Sequence, residues 1–383
     1  IKNTHIRNLH AGLQGTMAAT RQLFWPLGIR SITRKIIKQC VICFKCNPSN
    51  SVAKMGNLPA PRVKPSRPFT TCGIDYAGPL TIRDGKRRNA RHMKSYVCIF
   101  VCFATKAIHI ELVSDLTSDA FLAALRRFVS RRGKPSSIFS DNGTTFVGAS
   151  RQLSEIYEFL RKQEVKDSIH NYAQDSKISW TFIPPNAPHF GGIWEAGVKS
   201  IKFHLYRIVG TVALTFEELQ TTLCEIEAIL NSRPLIPLST DPNDLSFISP
   251  GHFLIGDTLN SLPCHSLENV NMNRLTRWQL TDQLRQHFWR RWSQDYLHQL
   301  QQRHKWPTSK GDQLKVGQLA LIKQPGLAPL QWLRGRVEKI HPGENGIARS
   351  ATLRTNKGTL VRPLSRLAIL PTEECSNILS KTL

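Results

Sequence analysis

The first 74 residues of this chain contain no aspartate or glutamate, and the first carboxylate side chain is Asp75. Over all 383 residues, 52 lysines and arginines oppose 27 acidic residues, which gives a formal net charge of +25. Such an excess of positive charge is typical of a protein whose partner is a polyanion. Nucleic acid is the leading class of partner, and an acidic membrane surface is the rival.

Long apolar runs, low-complexity segments and internal repeats are also missing. Without about 18 consecutive apolar residues the sequence predicts no transmembrane helix, and it contains no basic amphipathic helix with a clean apolar face. The composition therefore disfavours the membrane as a partner. No initiator methionine or signal peptide opens the sequence, so we expect an intracellular segment of a longer polypeptide.

A disulfide framework is a further feature that the sequence does not support. Nine cysteines, an odd number, are scattered through the chain instead of recurring at regular spacings. We expect four of them to be reduced core residues, namely Cys72, Cys98, Cys102 and Cys224.

The chain is too long for a single ordinary domain, and its charge and periodicity divide it into segments. Strand-like runs alternate with helical patterns in the middle of the chain, which predicts a multidomain α/β protein. The predicted segments are a metal-binding helical unit at 1–46, a basic linker rich in proline and serine at 47–67, an α/β core at 68–256, a helical linker at 257–307, a small β-barrel at 308–371 and a tail at 372–383.

The core is predicted to contain five strands with helices between them. Its strands are expected at 70–75, 96–103, 107–113, 136–140 and 178–183, and its helices at 118–131, 150–166, 194–209 and 216–231. A long helical pattern at 274–304 is expected to connect this core to the barrel.

Two histidines and two cysteines near the start have spacings typical of a zinc site. Four residues lie between His5 and His10, and two lie between Cys40 and Cys43. Two imidazole nitrogens and two thiolates suit tetrahedral Zn²⁺, and a small unit with few apolar residues would need the metal to fold. Cys43 and Cys46 have the same spacing as the chosen pair, and a chance grouping is the other interpretation. We prefer Cys40 and Cys43 because Cys40 closes a helical run.

Three acidic residues are candidates for a second metal centre. Asp75 ends a predicted strand within Gly-Ile-Asp-Tyr-Ala-Gly-Pro, and Asp141 ends another within Phe-Ser-Asp-Asn-Gly. If the two strands are neighbours, both carboxylates share one edge of the sheet, where hard cations for phosphoryl chemistry can be held. Glu195, one residue inside the following helix, would be the third. Taken singly, each acid also has an ordinary interpretation as a turn residue or a helix N-terminal charge. The competing acids lie on a polar helical stretch and are Glu155, Glu158 and Glu164.

These features together resemble retroviral-type integrases, in particular those of Pao/BEL retrotransposons. The motifs that carry the resemblance are His-x4-His, Cys-x2-Cys, the Asp75 strand, Ser-Asp-Asn-Gly-Thr-Thr-Phe from Ser140, Pro-His-Phe-Gly-Gly-Ile-Trp-Glu from Pro188, Leu-Asn-Ser-Arg-Pro-Leu from Leu230 and Ser-Pro-Gly-His-Phe-Leu-Ile-Gly from Ser249. They run in order through nearly the whole chain, which makes the set far more specific than any one motif.

The resemblance implies a zinc-binding helical N-terminal domain, a ribonuclease H-like catalytic core with a mixed five-stranded sheet, and a small SH3-like C-terminal barrel that binds DNA. It implies structural Zn²⁺ on the His and Cys set, and two Mg²⁺ or Mn²⁺ ions on a catalytic triad of Asp75, Asp141 and Glu195. One feature departs from the family. Asp141 and Glu195 are separated by 53 residues, more than in retroviral integrases, and we expect the extra residues to form an insertion before the fifth strand.

DNA contacts are expected in three places. Lys199 and Lys202 follow Glu195 on one helical face, and the resemblance assigns them to the element's own DNA end. Asn186 and His189 lie in the loop before that helix. In the barrel, basic residues grouped with Trp332 fit backbone binding, and these are Arg334 and Arg336. Two further basic clusters, at 83–94 and 126–132, either bind phosphates or are a hairpin tip and a solvated helix end.

The function that follows is metal-dependent 3′-end processing and strand transfer of element DNA into target DNA. The expected partners are double-stranded DNA and further copies of the chain, and the expected place is the host nucleus at integration and a cytoplasmic retroelement particle otherwise. Two alternatives remain, a catalytically silent domesticated integrase that tethers DNA and a ribonuclease H-like nuclease.

Overall fold

The computed structural model describes residues 1–46, 60–87, 89–140, 162–175, 177–182, 188–209, 212–301, 314–343 and 348–371, and for residues 46, 175 and 188–197 it describes the backbone alone. The chain forms two compact units, Ile1–Leu58 and Pro59–Leu383. Among the described residues, no helix combines the length and the apolar character that crossing a bilayer requires.

The first unit is a small helical bundle with little apolar interior. Its helices are α1 (Lys2–Arg7), α2 (Leu13–Arg21), α3 (Ile29–Gln39) and α4 (Val41–Cys46). Met17 and Ile29 are its buried hydrophobic residues, whereas Leu23, Phe24 and Trp25 are exposed by 69% or more. So small an apolar core leaves most of the stabilisation of this unit to its buried polar and metal-ligating side chains.

The second unit is built on a mixed sheet. Its strands are β1 (Thr71–Arg83), β2 (His92–Cys102), β3 (Ile108–Val113), β4 (Ser137–Ser140), β5 (Ser179–Phe182) and the short β6 (Leu214–Thr215). The spatial order is β3-β2-β1-β4-β5, with β6 beside β1. β2 runs antiparallel to β1 and to β3, while β4, β5 and β6 run parallel to their neighbours. The sheet confirms the predicted mixed five-stranded core and adds one two-residue strand.

Alternation along the strands gives the sheet two buried faces. In β2, Val97, Ile99 and Val101 belong to one hydrophobic cluster, whereas Cys98 and Phe100 belong to another. Helices cover both faces. The helices of this unit are α5 (Ala60–Val63), α6 (Ser118–Arg132), α7 (Gln163–Asp175), α8 (Pro188–Ile208), α9 (Phe216–Asn231), α10 (Pro250–Ile255) and α11 (Arg277–Leu300). Residues of α6 and α7 lie in the cluster with Phe100, and residues of α8, α9 and α11 lie in the cluster with Val97.

The C-terminal part of the unit is a five-stranded antiparallel sheet with its own small core. Its strands are β9 (Leu319–Ile322), β10 (Arg334–Pro342), β11 (Ala348–Thr355), β12 (Gly358–Pro363) and β13 (Leu367–Ile369), in the order β12-β11-β10-β9-β13. A short hairpin, β7 (Ile236–Pro237) and β8 (Phe247–Ile248), precedes it in the chain. Leu319, Leu321 and Trp332 belong to the same cluster as α9 and α11. The C-terminal sheet therefore packs against the core through α11.

Element bounds differ from the sequence-based expectations in informative places. The first strand continues to Arg83, so Asp75 lies within β1 and not at its end. The helix that carries position 195 begins at Pro188, six residues before the predicted start. Cys224 is exposed, contrary to expectation, while Cys72, Cys98 and Cys102 are buried. The predicted helix at 150–166 falls mainly on residues outside the described ones.

Candidate functional site

The four predicted zinc ligands come together in the first unit. Their ligand atoms all lie within 4.8 Å of one another. Cys40 Sγ is 3.2 Å from His10 Nδ1, Cys43 Sγ is 3.4 Å from His5 Nε2, and the two imidazoles approach to 3.2 Å. Ligands of a tetrahedral Zn²⁺ are separated by about 3.3–3.8 Å, given the usual bond lengths to nitrogen and sulfur. The donor set and its spacing therefore fit a structural zinc ion.

Neighbouring groups orient the two histidines for this role. His5 is 1% exposed, and its Nδ1 lies 3.1 Å from Ala11 O and 3.4 Å from Thr16 Oγ1, so Nε2 is directed to the ligand cluster. A hydrogen bond from the second ring nitrogen is the usual way in which a protein fixes a metal-binding tautomer. Leu9 and His10 both adopt positive φ angles, 52° and 60°. Strained backbone of this kind persists where surrounding contacts demand it, here where the chain turns His10 towards His5.

The two cysteines occupy the start of α4. The backbone amide of Cys43, with the side chain of His5, lowers the pKa of Cys40 to about 6. A thiolate is the metal-binding form of cysteine, so the geometry favours it before any ion binds. The side chain of Cys46, the alternative partner of Cys43, lies outside the described residues.

The predicted catalytic centre is described around Asp75. Ile74 and Tyr76 belong to the cluster that α6 and α7 cover, so Asp75 projects to the opposite face, where α8 packs. Its Oδ1 accepts a hydrogen bond from the Tyr76 amide at 2.7 Å, and Lys202 Nζ lies 2.8 Å from its Oδ2. The carboxylate, 25% exposed, thus remains accessible to solvent, with a cation beside it. These surroundings fit an oxygen ligand for a hard divalent cation.

The sheet register places the end of β4 beside the Asp75 region of β1. β4 runs parallel to β1, and the last pair in their register is Ile74 with Ser140. In the sequence, Asp75 follows Ile74 and Asp141 follows Ser140. Asp141 itself lies outside the described residues, as do Asn186 and the side chains of His189 and Glu195. The backbone places position 195 within α8, two turns before Lys202 on the same helical face.

A tyrosine that the sequence reading missed fixes α8 against β1. Tyr206 Oη donates to Gly78 O and accepts from Gly78 N at 2.6 Å. A Cβ on Gly78 would lie 2.8 Å from Tyr96 Cδ1, and its φ of 139° is a glycine conformation, so the close approach requires glycine. Tyr206 follows Lys202 by one helical turn, and that spacing was the available signal. Together the two contacts set the position of α8 relative to Asp75.

The remaining predicted DNA contacts have different surroundings. Lys199 is exposed, as expected of a phosphate-binding lysine. Arg336 is 4% exposed, and its guanidinium donates to the carbonyls of Ser239, Asp244 and Gly317. Its side chain therefore lies in the interface between C-terminal sheet and core, and not on a surface that DNA can reach. Arg334 stacks 5.0 Å over the ring of Phe247, and burial lowers its pKa. The prediction treated both as surface cations because a sequence pattern does not reveal which side of a strand is covered.

The motif Leu-Asn-Ser-Arg-Pro-Leu is a structural junction. Asn231 exchanges two hydrogen bonds with the backbone of Ile108, at 2.8 and 2.7 Å. Ser232 Oγ accepts from Trp332 Nε1 at 3.2 Å, and Pro234 O accepts from Tyr296 Oη. One short segment therefore ties β3, α11 and the C-terminal sheet together.

A buried ionic network links β3, α6 and α9. His109, with no exposed surface, contacts Glu111 at 2.9 Å and Glu227 at 3.3 Å. Arg127 and Arg132 bind these glutamates from α6. Arg131 also binds Glu111, so three of the four arginines at 126–132 are engaged with acidic side chains of the protein. The cluster is therefore less available to phosphates than a free one.

Three family models match parts of the chain. Residues 1–49 match the integrase zinc binding domain, residues 65–188 match the integrase core domain, and residues 276–370 match a family of unknown function, DUF5641. The core match includes Asp75 and Asp141 and ends before Glu195. The last match spans both α11 and the C-terminal sheet, which agrees with their packing as one body.

Individual relatives are distant. An uncharacterized protein of Caenorhabditis elegans is 24% identical over 143 residues, which are 36% of this chain and 10% of that protein. The chain thus matches about a tenth of the length of that relative. Among solved structures, the simian T-cell lymphotropic virus intasome in complex with PP2A regulatory subunit B56 gamma is 15% identical, with 97% of this chain and 99% of that chain covered and a TM-score of 0.34. The catalytic core domain of BIV integrase is 12% identical, with 49% and 95% covered and a TM-score of 0.31.

Proposed function

We propose that the chain is a retroviral-type integrase, which processes the 3′ ends of a linear element DNA and joins them to target DNA. The matches to the integrase zinc binding domain and the integrase core domain support this proposal. The observation that carries the proposal is the register of β1 and β4, which pairs Ile74 with Ser140, the residues that precede Asp75 and Asp141 in the sequence. The finer assignment to the Pao/BEL group rests on the motif resemblance.

Both proposed reactions are in-line displacements at phosphorus, by water in processing and by a 3′ hydroxyl in joining. Mg²⁺ or Mn²⁺, bound by Asp75, Asp141 and Glu195, would supply activation of the attacking oxygen and stabilisation of the leaving oxygen. The protein itself holds the Asp75 carboxylate in place. Tyr76 N–H orients one oxygen of Asp75, and Tyr206 anchors the helix that carries position 195.

The proposed substrate is double-stranded DNA, and the net charge of +25 supports it. Lys199 on the exposed face of α8 would contact a phosphate near the reacting end. Because joining of an element engages two DNA ends, we propose that the active form is a homo-oligomer. The zinc-binding unit would act as a structural domain, with His5, His10, Cys40 and Cys43 as the ligands.

The experiment that tests the proposal uses the purified chain, labelled duplex carrying the element's terminal sequence, supercoiled plasmid and Mg²⁺. We expect labelled plasmid, in which the duplex has been joined. Tight binding of duplex with no joined product in Mg²⁺ or Mn²⁺ would support the tethering alternative. Cleavage of an RNA–DNA hybrid with no joined product would support the ribonuclease H-like nuclease.

A further inference from the structure

The hairpin between β1 and β2 extends past the end of β3, and on its other side the short β6 pairs with β1 at Ile82 and Arg83. Pairing of β2 with β3 ends at Tyr96 and Val113, whereas β1 and β2 remain paired as far as Arg83 and His92. A strand that covers a core alternates buried and exposed residues. Here His92, Met93 and Lys94 are all exposed, and burial begins at Ser95. We call residues 83–94 the basic arm.

The basic arm carries a concentrated positive charge. It holds six lysines and arginines against one acid, Asp84. Among its described residues, Lys86, Arg87 and Arg91 are exposed. The arginines of α6 differ, because Arg127 and Arg132 bind buried glutamates. At Lys86, Arg87 and Arg91 the arm therefore displays cations to solvent.

Hydrogen bonds give the arm a defined shape. The amide of Asp84 donates to Arg91 O at 2.9 Å, and Arg83 donates through its guanidinium to Gly85 O at 2.9 Å and to Arg87 O. Gly85 has a φ of 92°, which allows the chain to reverse. Arg83 hydrogen-bonds to other residues of the tip. The arm would therefore lose less conformational freedom when it binds a ligand than a loose loop would.

The arm is remote from the proposed chemistry. Eight residues of β1 separate Asp75 from Arg83, which at the rise of a strand is up to about 26 Å. A duplex with its reacting phosphate at Asp75 reaches this distance about eight base pairs further along. A two-stranded ribbon also fits the width of the major groove.

We propose that the basic arm is a binding site for the phosphate backbone of duplex DNA, which holds the substrate at a distance from the catalytic centre. This inference rests on the proposed function for the identity of the ligand. The arm would contribute affinity without base reading, because cations at the tip of a ribbon engage phosphates along the groove edges. It would leave the chemical step unchanged.

The test compares two triple variants of the full chain. One replaces the arm cations, Lys86→Gln, Arg87→Gln and Arg91→Gln. The matched control removes the same charge from scattered exposed positions, Lys162→Gln, Lys177→Gln and Arg274→Gln. A second arm variant replaces residues 84–91 by Asn-Gly, a two-residue hairpin turn. Binding to a 30-base-pair duplex is measured by fluorescence anisotropy across a salt series, and joining is measured at saturating DNA.

Both arm variants should bind duplex at least about tenfold more weakly, with a salt slope lower by about two to three units, while the control changes far less. Joining at saturating DNA should match that of the wild type. Equal weakening in the arm variants and the control would overturn the arm as a site. Duplex binding that is unchanged in both arm variants would overturn the assignment of the arm to duplex DNA. If the wild type binds duplex through the arm but forms no joined product, the proposed function is wrong while the arm is still a binding site for duplex DNA.

Discussion

Lys202 Nζ lies 2.8 Å from Asp75 Oδ2, so the helix that carries position 195 is tied directly to the strand of the first predicted catalytic aspartate. The two side chains are 21% and 25% exposed, and an ion pair this open to solvent adds about 1 kcal/mol or less to stability. Its consequence is functional: while Asp75 holds Lys202, this lysine does not contact a phosphate.

Lys199 and Lys202 should therefore differ in how they support DNA binding. Lys199→Ala should lower the salt slope of duplex binding by about one unit whether or not divalent cations are present. Lys202→Ala should do so only in Ca²⁺, which can neutralise Asp75 without supporting turnover, and not in EDTA. Fluorescence anisotropy in the two buffers measures both slopes. A Lys202→Ala effect of the same size in EDTA would show that the ion pair does not occupy the lysine.

Removal of zinc should unfold the first unit and leave the second folded. Four ligand side chains, and little apolar core, hold residues 1–46 together. In hydrogen exchange of the full chain, a chelator should abolish amide protection in α2 and α3 while β1–β3 stay protected. His10→Ala should have the same effect without a chelator. If α2 and α3 stay protected after both treatments, zinc does not stabilise the first unit.

Arg336 should behave as a structural residue. Arg336→Gln removes charged donors from three backbone carbonyls, and we expect a loss of about 3 kcal/mol or more in the free energy of unfolding. The salt slope of DNA binding should not change. Arg349→Gln, on an exposed position of the same sheet, is the control and should leave stability within about 0.5 kcal/mol. If Arg336→Gln lowers the salt slope of DNA binding and leaves the free energy of unfolding unchanged, Arg336 is part of the DNA-binding surface.

The network around His109 predicts a pH dependence of stability. Burial alone would lower the pKa of His109, but hydrogen bonds and charges from Glu111 and Glu227 raise it above 6.5. Burial would raise the pKa of Glu227, but His109 and Arg132 lower it below 4.5. The histidine contribution is thus complete below pH 6.5 and is lost as pH rises through its folded-state pKa, while the glutamate contribution is present above pH 4.5 and is lost as pH falls.

The melting temperature of the wild type should therefore decline as pH rises above 6.5. His109→Gln should lower the melting temperature at pH 6 and flatten this decline. His170→Gln, at an exposed position of α7, should leave the profile unchanged. Thermal melts from pH 5 to 9 measure the effect, and an unaltered profile for His109→Gln would show that the network does not titrate in this range.

Much of the fold followed from local patterns. Helix α9, with a capping box at Thr215 and an apolar face, was predicted at its observed bounds. The zinc ligands were identifiable because paired ligands with short spacings carry their chemistry in the sequence. The extension of β1 past Asp75 was missed, since Gly78 and Pro79 resemble a strand end while the bulge between Ala77 and Leu80 allows the strand to continue.

Contacts between distant segments were beyond the reach of such patterns. The burial of Arg336 depends on carbonyls that lie 19 to 97 residues away in the chain. The ion pair of Lys202 with Asp75 joins residues that are 127 positions apart. A lysine or arginine in a basic sequence is most simply predicted to face solvent. Arg336 is buried instead because the core packs against the C-terminal sheet. Asp141, Asn186 and the side chains of His189 and Glu195 stay predictions.

The central claim is that Asp75, Asp141 and Glu195 perform the joining reaction. Its most direct test is a joining assay in Mg²⁺ on Asp141→Asn and Glu195→Gln, with duplex affinity measured on the same preparations and Glu164→Gln as the matched control. We predict that both variants lose joined product while duplex affinity stays near that of the wild type or rises, because loss of a carboxylate removes repulsion of phosphate. The control should join normally. Joined product from either triad variant at the wild-type level would place the catalytic centre elsewhere.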